Sequence, residues 1–288
     1  MTSSADQPWP KAHSAIPDIV TSDSPLIIFH PAMGVGWSYY RPLIERLRSH
    51  GAIVISQDLR GYGAPDGSAD SGFREIVEID IPDLVTGSRS RWPGHPIWLM
   101  GHSLGGQLSA VSAAHNSLSI AGLVLVAAGS AHARGFPWWL GLRNRLAAWC
   151  FAGVAIVLGY WPGDRVGFGG RQPRRLLLDW AYLVRTGRYR SGEGDRLYDA
   201  DLRRSRPRIL MVGIVGDSLA PASAIRELRM TMPQARVTTL VRPTPANGKN
   251  PHFAWVRGDE GLAQEVFDWV RSGFRVMDKR NADEKANS

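Results

Sequence analysis

Short apolar runs alternate with longer mixed segments from Pro25 onward, and this pattern predicts parallel β-strands joined by helices. The almost continuous apolar run at residues 120–128 is typical of a central strand that is covered on both faces. Strands are predicted at residues 26–29, 52–56, 96–100, 120–128, 209–215 and 236–241. Helices are predicted at residues 39–49, 74–91 with a break near Pro82, 104–116, 222–230 and 262–270. The expected fold class is α/β, with a mostly parallel central sheet flanked by helices.

One segment, residues 131–207, interrupts this rhythm and holds five of the eleven tryptophans. We interpret it as a helical cap inserted into an α/β core that comprises residues 25–130 and 208–274. Residues 1–24 are expected to form a loose N-terminal arm. The polar residues 275–288 are expected to form a disordered tail.

The composition, with 44% hydrophobic and 21% charged residues, is that of a folded globular protein. The net charge of +8 comes mostly from scattered arginines without interleaved aromatic residues, so nucleic-acid binding is not expected. The single cysteine, Cys150, excludes an intramolecular disulfide and lies in an apolar run, which predicts a buried thiol and a cytoplasmic protein. Residues 1–20 lack the apolar core of a secretory signal.

The candidate nucleophile is Ser103 in the sequence Gly101-His102-Ser103-Leu104-Gly105. Because short motifs of this kind arise by chance, the flanking elements decide: an apolar strand enters the motif and a helix of small residues leaves it. Glycines suit the sharp turn around a strained serine, and the helix directs its positive end toward the site. The alternative is a glycine-rich turn capped by Ser103. The side chains of adjacent residues at a sharp turn point in different directions. His102 is therefore expected to pack against or orient neighbouring groups, and not to act as the base for Ser103.

A serine hydroxyl needs a base, and that base needs an anionic partner. After such a turn the chain order is serine, acid, histidine, and of the eight histidines only His252 follows the acid candidates. Asp217 is the preferred acid because it directly follows an apolar strand; its alternative role is to cap the next helix. For His252 the alternative is a surface loop. The acids between Ser103 and His252 are Asp164, Asp179, Glu193, Asp195, Asp199, Asp201, Asp217 and Glu227.

Acyl transfer also needs hydrogen-bond donors for the developing oxyanion, and the turn supplies the N–H of Leu104. The second donor is expected in the loop after the first strand, residues 30–34. Pro31 has no N–H, so the donor is Ala32 or Met33, and Met33 is slightly preferred. The alternative is a turn without a catalytic role. Neither a metal nor a cofactor is expected, because no ligand cluster or phosphate-binding loop is recognisable.

Residues 29–34, 58–63, 101–106, 216–217 and 251–253 together resemble the α/β-hydrolase superfamily over about residues 25–271. The sequence Pro-x-x-Gly-x-x-x-x-Tyr-Tyr-Arg-Pro at residues 31–42 is similar to predicted hydrolases related to the serine aminopeptidase and monoacylglycerol lipase-like group. The resemblance implies the fold and the roles of Ser103, Asp217 and His252, but no particular substrate. It also implies that residues 137–161 belong to a cap that shields the site and shapes an acyl pocket.

These residues predict a serine hydrolase that cleaves a carboxylic ester or thioester of a small-molecule acyl substrate through an acyl-enzyme intermediate. An acyltransferase or a cofactor-free haloperoxidase-type enzyme would use the same residues. A hydrolase-fold protein that binds a ligand without turnover is a third interpretation.

The apolar stretch 146–161 is shorter than the roughly 20 residues that cross a bilayer, so a membrane span is not expected. We interpret it as a lid helix over the active site. The alternative is transient contact with lipid at a membrane surface, which would suit a lipase-like esterase.

Overall fold

The structure is a computed structural model that describes residues 12–62, 71–192, 196–246 and 249–286, with side chains described up to residue 273. Its strands are β1 (His13–Ala15), β2 (Leu26–His30), β3 (Ile53–Ser56), β4 (Ile97–His102), β5 (Gly122–Val126), β6 (Tyr160–Pro162), β7 (Gly170–Pro173), β8 (Arg208–Ile214) and β9 (Arg236–Arg242).

Its α-helices are α1 (Arg41–Ser49), α2 (Phe73–Glu75), α3 (Ile81–Arg91), α4 (Leu104–His115), α5 (Trp138–Leu158), α6 (Gly163–Val166), α7 (Arg174–Thr186), α8 (Asp199–Arg204), α9 (Ala222–Thr231), α10 (Pro251–Gly258) and α11 (Gly261–Ala286). Single 3₁₀ turns occupy Trp37–Tyr40 and Ala133–Gly135, and a π-helical turn occupies Ile76–Asp80.

The central sheet has seven strands in the order β1-β3-β2-β4-β5-β8-β9, and every pairing except that of β1 with β3 is parallel. Alternate residues of β2 enter opposite core clusters: Leu26 and Ile28 pack on one face, and Ile27 and Phe29 on the other. Strands covered on both faces must be apolar throughout, which explains the unbroken apolar runs of the sequence. The predicted α/β fold with a mostly parallel sheet is confirmed.

The parallel arrangement decides where the site lies. The six strands β2, β3, β4, β5, β8 and β9 of the central sheet run in one direction, so their carboxyl ends meet at one edge of the sheet. The loops that follow β2, β4 and β8 leave from this edge, and they carry Met33, Ser103 and Asp217.

The N-terminal arm is not entirely loose. Residues His13–Ala15 form β1, which pairs antiparallel with β3 and protects the edge of that strand. The His13 ring also stacks on Trp37 at 4.1 Å between ring centroids. Residues 1–11 lie outside the described residues.

Two helix predictions need correction. The break expected near Pro82 is instead a π-helical turn directly before it, and helical backbone continues from Phe73 to Arg91. The Val77 carbonyl in this turn accepts the Ser112 hydroxyl and the Asn116 side-chain amide. The disordered tail expected from residue 275 onward instead continues α11 to Ala286. Residues 274–286 contain neither glycine nor proline, so nothing in this segment ends the helix.

The cap is not purely helical. Besides α5, α6 and α7 it contains a hairpin of β6 and β7, whose connection includes Gly167 and Gly169, both with left-handed backbone. Helix α8, although within the predicted cap limits, packs against α4 of the core.

Candidate active site

Ser103 lies at the junction of β4 and α4 with φ 51° and ψ −122°, a conformation that residues other than glycine rarely adopt. Its N–H donates to the Val126 carbonyl of β5 at 3.0 Å, which ties the turn to the sheet. A Cβ on Gly105 would overlap the carbonyl oxygen of Pro31. The motif glycine therefore lets the start of α4 approach the loop after β2.

Asp217 and His252 form a buried pair, with 2.7 Å between Asp217 Oδ2 and His252 Nδ1. The other carboxylate oxygen, Oδ1, accepts the N–H groups of Leu219 and Ala220 at 2.8 and 3.0 Å. Asp217 thus organises the turn before α9 and binds His252 at the same time, with a different oxygen for each. Because Nδ1 is held by the carboxylate, Nε2 is the His252 nitrogen that remains to exchange a proton.

The chain places His252 in the first turn of α10, not on an exposed loop. The Asn250 side chain accepts the N–H of His252 at 3.1 Å and so caps the helix, and Pro251 occupies its first position. The indole N–H of Trp255 donates to the His252 carbonyl at 2.8 Å. The helix terminus therefore fixes the backbone on which the imidazole is carried.

His102 packs beside this pair. Its ring is fully buried, and its centroid lies 4.6 Å from that of His252. Burial, together with the neighbouring His252, lowers the pKa of His102 well below its usual range. His102 is therefore neutral at neutral pH and adds no positive charge beside His252, in keeping with the packing role that the sequence predicted.

Tyr40 was missed by sequence reasoning, although it lies in the Tyr-Tyr pair of the 31–42 motif. Its buried hydroxyl accepts the backbone N–H of Ala32 at 3.1 Å and lies 2.7 Å from His102 Nδ1. With the hydroxyl oxygen already accepting from Ala32, its own proton is available to His102 Nδ1. One of the two candidate oxyanion donors is therefore already engaged.

His30 makes a second link that the sequence did not indicate. The Ser109 hydroxyl donates to the Gly105 carbonyl at 2.7 Å, so His30 Nδ1, 2.8 Å away, donates to the Ser109 oxygen. Burial lowers the pKa of His30 to about 4, which keeps the ring neutral. The end of β2 is thereby fastened to the first turns of α4.

The cap hairpin contacts the loop that carries Met33. A Cβ on Gly34, whose φ is +74°, would overlap the Gly169 backbone, so this close approach requires glycine at position 34. Trp161, in β6 of the hairpin, packs with Leu177 of α7 and Ala155 of α5, and its indole N–H donates to the Phe168 carbonyl at 2.9 Å. Trp161 therefore fastens the hairpin that approaches this loop to helices α5 and α7.

Among the acid candidates that the structure describes, Asp217 is the one that contacts His252. Asp199 lies near Arg188, and Asp201 binds His115. Asp179 is buried in the cap and accepts the Phe73 N–H at 3.0 Å. Glu193 and Asp195 lie outside the described residues. Within the described chain, no cluster of His, Cys, Asp and Glu could hold a metal ion.

The prediction of a buried Cys150 is wrong. Cys150 is exposed on α5, because that helix turns its alanines toward the protein and Cys150 falls on the opposite side.

A family model described as "Serine aminopeptidase, S33" matches residues 23–182, more than half of the chain. The chain belongs to this family. The matched segment contains Ser103 and ends before Asp217 and His252, so the match does not bear on the roles of these two residues.

The curated relatives that the chain matches include monoglyceride lipases. The chain is 32% identical to human monoglyceride lipase over 89 residues, 30% of this chain and 29% of that protein. It is 28% identical to a monkeypox virus monoglyceride lipase homolog over 109 residues, 37% of this chain and 39% of that protein. The matches thus span less than two fifths of the length of these curated relatives.

The overall structure extends the likeness. A soluble variant of monoglyceride lipase from Saccharomyces cerevisiae, solved with a substrate analogue, superposes with a TM-score of 0.65 at 12% identity, covering 91% of each chain. At this identity the likeness concerns the fold alone. The fold is that of the α/β-hydrolases, and the chain belongs to their monoglyceride lipase-like group, as the resemblance implied.

Proposed function

We propose that this protein is a serine hydrolase that cleaves a carboxylic ester or thioester through an acyl-enzyme intermediate. The observation that carries the proposal is the buried 2.7 Å contact between Asp217 Oδ2 and His252 Nδ1, made at the sheet edge where the strained Ser103 lies. A carboxylate so placed fixes the tautomer of the base and stabilises the imidazolium that forms when the base takes a proton.

In the proposed reaction, Ser103 Oγ attacks the substrate carbonyl while His252 Nε2 accepts the hydroxyl proton. The tetrahedral intermediate then collapses, and the leaving alcohol or thiol takes that proton from His252. Water repeats the sequence on the acyl-enzyme: it loses a proton to His252, attacks the acyl carbon and releases the acid and Ser103. The neutral His102 beside His252 avoids repulsion with the imidazolium.

We propose the backbone N–H groups of Leu104 and Met33 as the oxyanion donors. Leu104 begins α4, where the first N–H groups have no partner within the helix and carry the positive end of its dipole. Met33 is favoured over Ala32 because the Ala32 N–H already donates to Tyr40. Tyr40 and His30 are assigned as positioning residues that hold the Met33 loop and the turn at Ser103 in one arrangement.

Monoglycerides are the first substrates to test, since the curated relatives are named for them. A cytoplasmic location is part of the proposal, supported by the presence of a single cysteine. A panel of p-nitrophenyl esters of increasing acyl length, assayed beside a monoglyceride, would define the acyl preference.

A fluorophosphonate probe tests the nucleophile. We expect rapid labelling of the wild-type protein and no labelling of Ser103→Ala. Ser112→Ala is the matched control, because Ser112 is a buried serine of α4, the helix that follows Ser103, and its hydroxyl donates to the Val77 carbonyl. Failure to label the wild-type protein, or equal labelling of Ser103→Ala, would overturn the proposal and favour a protein that binds without turnover.

A further inference from the structure

Three arginines converge where β8 and β9 begin, at the edge of the sheet opposite to the candidate active site. Arg208 is the first residue of β8, and its register partner in the neighbouring strand is Arg236, the first residue of β9. Paired residues of neighbouring strands direct their side chains to the same face of a sheet. The pairing reaches back to Pro207, whose carbonyl accepts the Arg236 N–H at 2.9 Å. Arg206 adds a third positive charge two positions before Arg208, and the three side chains line one cavity.

Among the described residues, these three arginines have no carboxylate partner. Arg206 donates to the side-chain oxygen of Gln234 at 2.7 Å. Arg208 Nη2 donates to the Trp269 carbonyl and to the Ser272 hydroxyl at 3.2 and 3.0 Å. All of these acceptors are neutral. Because like charges in directly paired positions of two strands destabilise a sheet, this arrangement favours the binding of an anion.

The Arg208 side chain is held in place by the groups around it. Its guanidinium lies 4.3 Å from the centroid of the Trp269 ring and 5.7 Å from that of the Trp98 ring. A Cβ on Gly273 would overlap Arg208 Nη1, so glycine at this position leaves the room that the guanidinium occupies. Burial lowers the pKa of Arg208, because the charge is partly removed from water. A bound anion would offset the free energy that this desolvation costs.

The arginines line a cavity of about 510 Å³, which is within the size range of small-molecule sites in proteins. Apolar side chains of its wall come from the end of α4 and the loop that follows this helix: Ala110, Ala113, Ala114, Leu118, Ile120 and Ala121. No Asp or Glu belongs to the part of the wall that the structure describes. The cavity therefore combines positive charge from the two strands with apolar surface from α4 and its loop.

This combination indicates the class of ligand. A guanidinium group binds the oxygens of a phosphate in a bidentate manner. A phosphomonoester carries nearly two negative charges at neutral pH, which suits three arginines better than the single charge of a carboxylate. An inorganic anion would leave the apolar wall uncovered, and a neutral lipid would not neutralise the arginines. We propose that the cavity binds an organic phosphomonoester, with its phosphate at Arg206, Arg208 and Arg236 and its apolar group against α4.

The proposed site is separate from the hydrolytic site. It lies at the amino ends of the parallel strands, whereas Ser103 and Asp217 follow the carboxyl ends of β4 and β8. A phosphomonoester that contains no carboxylic ester is not a substrate of the proposed reaction, so its binding is measured without turnover. The inference consequently holds or fails whether or not Ser103 is a nucleophile.

Isothermal titration calorimetry with phenyl phosphate tests the proposal. The phenyl ring supplies the apolar group, and the molecule contains no acyl group that Ser103 could accept. At pH 7.5 and physiological ionic strength we expect saturable binding to a single site on each chain. Inorganic phosphate should bind the same arginines more weakly, because it makes no contact with the apolar wall.

Matched variants separate a specific site from attraction by net charge. Arg206→Gln combined with Arg236→Gln should weaken the binding of phenyl phosphate roughly tenfold or more, because both arginines lose their charge-assisted hydrogen bonds. The control is Arg226→Gln combined with Arg229→Gln, which removes two exposed arginines of α9 outside this cavity. Ala113→Leu, which fills part of the apolar side, should weaken phenyl phosphate and leave inorganic phosphate unchanged. Circular dichroism melting curves establish that each variant is folded.

Four outcomes would overturn the proposal. One is the absence of a binding heat up to millimolar phenyl phosphate. Another is equal affinity of the wild type and the Arg206→Gln/Arg236→Gln variant. A third is equal weakening by the two double variants, which would show attraction by net charge alone. The fourth is equal affinity for inorganic phosphate and phenyl phosphate, which would assign the cavity to a bare anion.

Discussion

The Tyr40 hydroxyl accepts the backbone N–H of Ala32, 3.1 Å away. The same hydroxyl lies 2.7 Å from His102 Nδ1, so one side chain joins the loop after β2 to the turn after β4. The ring is buried between Phe29, on β2, and Trp255, on α10. The segments that carry Met33, Ser103 and His252 therefore share a single buried support.

Tyr40→Phe removes only this hydroxyl. Leaving the buried Ala32 N–H without its partner should lower the free energy of unfolding by about 1–3 kcal/mol, measured by urea denaturation. Because the support of the Met33 loop is lost, kcat should fall more than KM changes. Tyr189→Phe is the control, since its buried hydroxyl donates to Gln107 at 2.8 Å and its loss should affect stability alone. Equal kcat values for the two variants would remove the positioning role of Tyr40.

Asp217→Asn separates the two duties of this carboxylate. An amide oxygen can still accept the N–H groups of the turn before α9, so the unfolding free energy should change little. Loss of the anion beside His252 should lower kcat on the order of 10³- to 10⁴-fold. Asp259→Asn is the comparison: Asp259 pairs with Arg242 at 2.6 Å, and weakening this ion pair should reduce stability and leave kcat unchanged. Full activity of Asp217→Asn would exclude Asp217 as the partner of the base.

Gly34→Ala tests the contact between the cap and the Met33 loop. The new methyl group would overlap the Gly169 backbone, so the hairpin should move away and proteolytic cleavage of the cap should accelerate. Gly167→Ala introduces a side chain at a similar φ of +75°, but no atom lies within 4 Å, so it should add only backbone strain of about 1–2 kcal/mol. Indistinguishable proteolysis of the two variants would show that this contact does not hold the cap.

Asp179 should make stability depend on pH. Burial raises its pKa to about 6, against opposing contributions from the Phe73 N–H and from Arg190 and Arg175. A raised pKa means that the neutral form stabilises the fold, so this contribution is present below about pH 4 and is lost as the pH rises through 6. Relative to Asp179→Asn, the wild type should lose about 2–3 kcal/mol between pH 4.5 and 7.5.

Asp179→Asn is the necessary reference for that measurement. The lowered pKa values of His30 and His102 change the stability of the protein in the opposite direction. Because both histidines are neutral in the folded protein, the free energy of unfolding decreases as the pH falls and the unfolded state takes up their protons. Urea midpoints of both proteins at the two pH values isolate the Asp179 contribution. If the stability of the wild type and of Asp179→Asn changes equally with pH, Asp179 does not make the expected contribution.

The sequence by itself predicted the sheet and three positions at its edge. Apolar runs report burial on both faces, so β2, β4, β5 and β8 were recognisable, and chain order left His252 as the single histidine for the base. Asp217 was selected because it directly follows an apolar run, a property that is local in the sequence. The strands and the choice of Asp217 depend on residues that are neighbours along the chain, and the choice of His252 depends on chain order alone, so all of them could be argued without the tertiary structure.

Only the tertiary structure decided which groups meet across the chain. Nothing local distinguishes Tyr39 from Tyr40 or shows that Ala32 gives its N–H to a tyrosine, because those contacts depend on how β2 and β4 pair. The outward side of α5 was equally hidden: a helix that is apolar all round has no sequence signal for its buried face. Packing against α7 selected the alanines for that face, and so left the tryptophans and Cys150 outside.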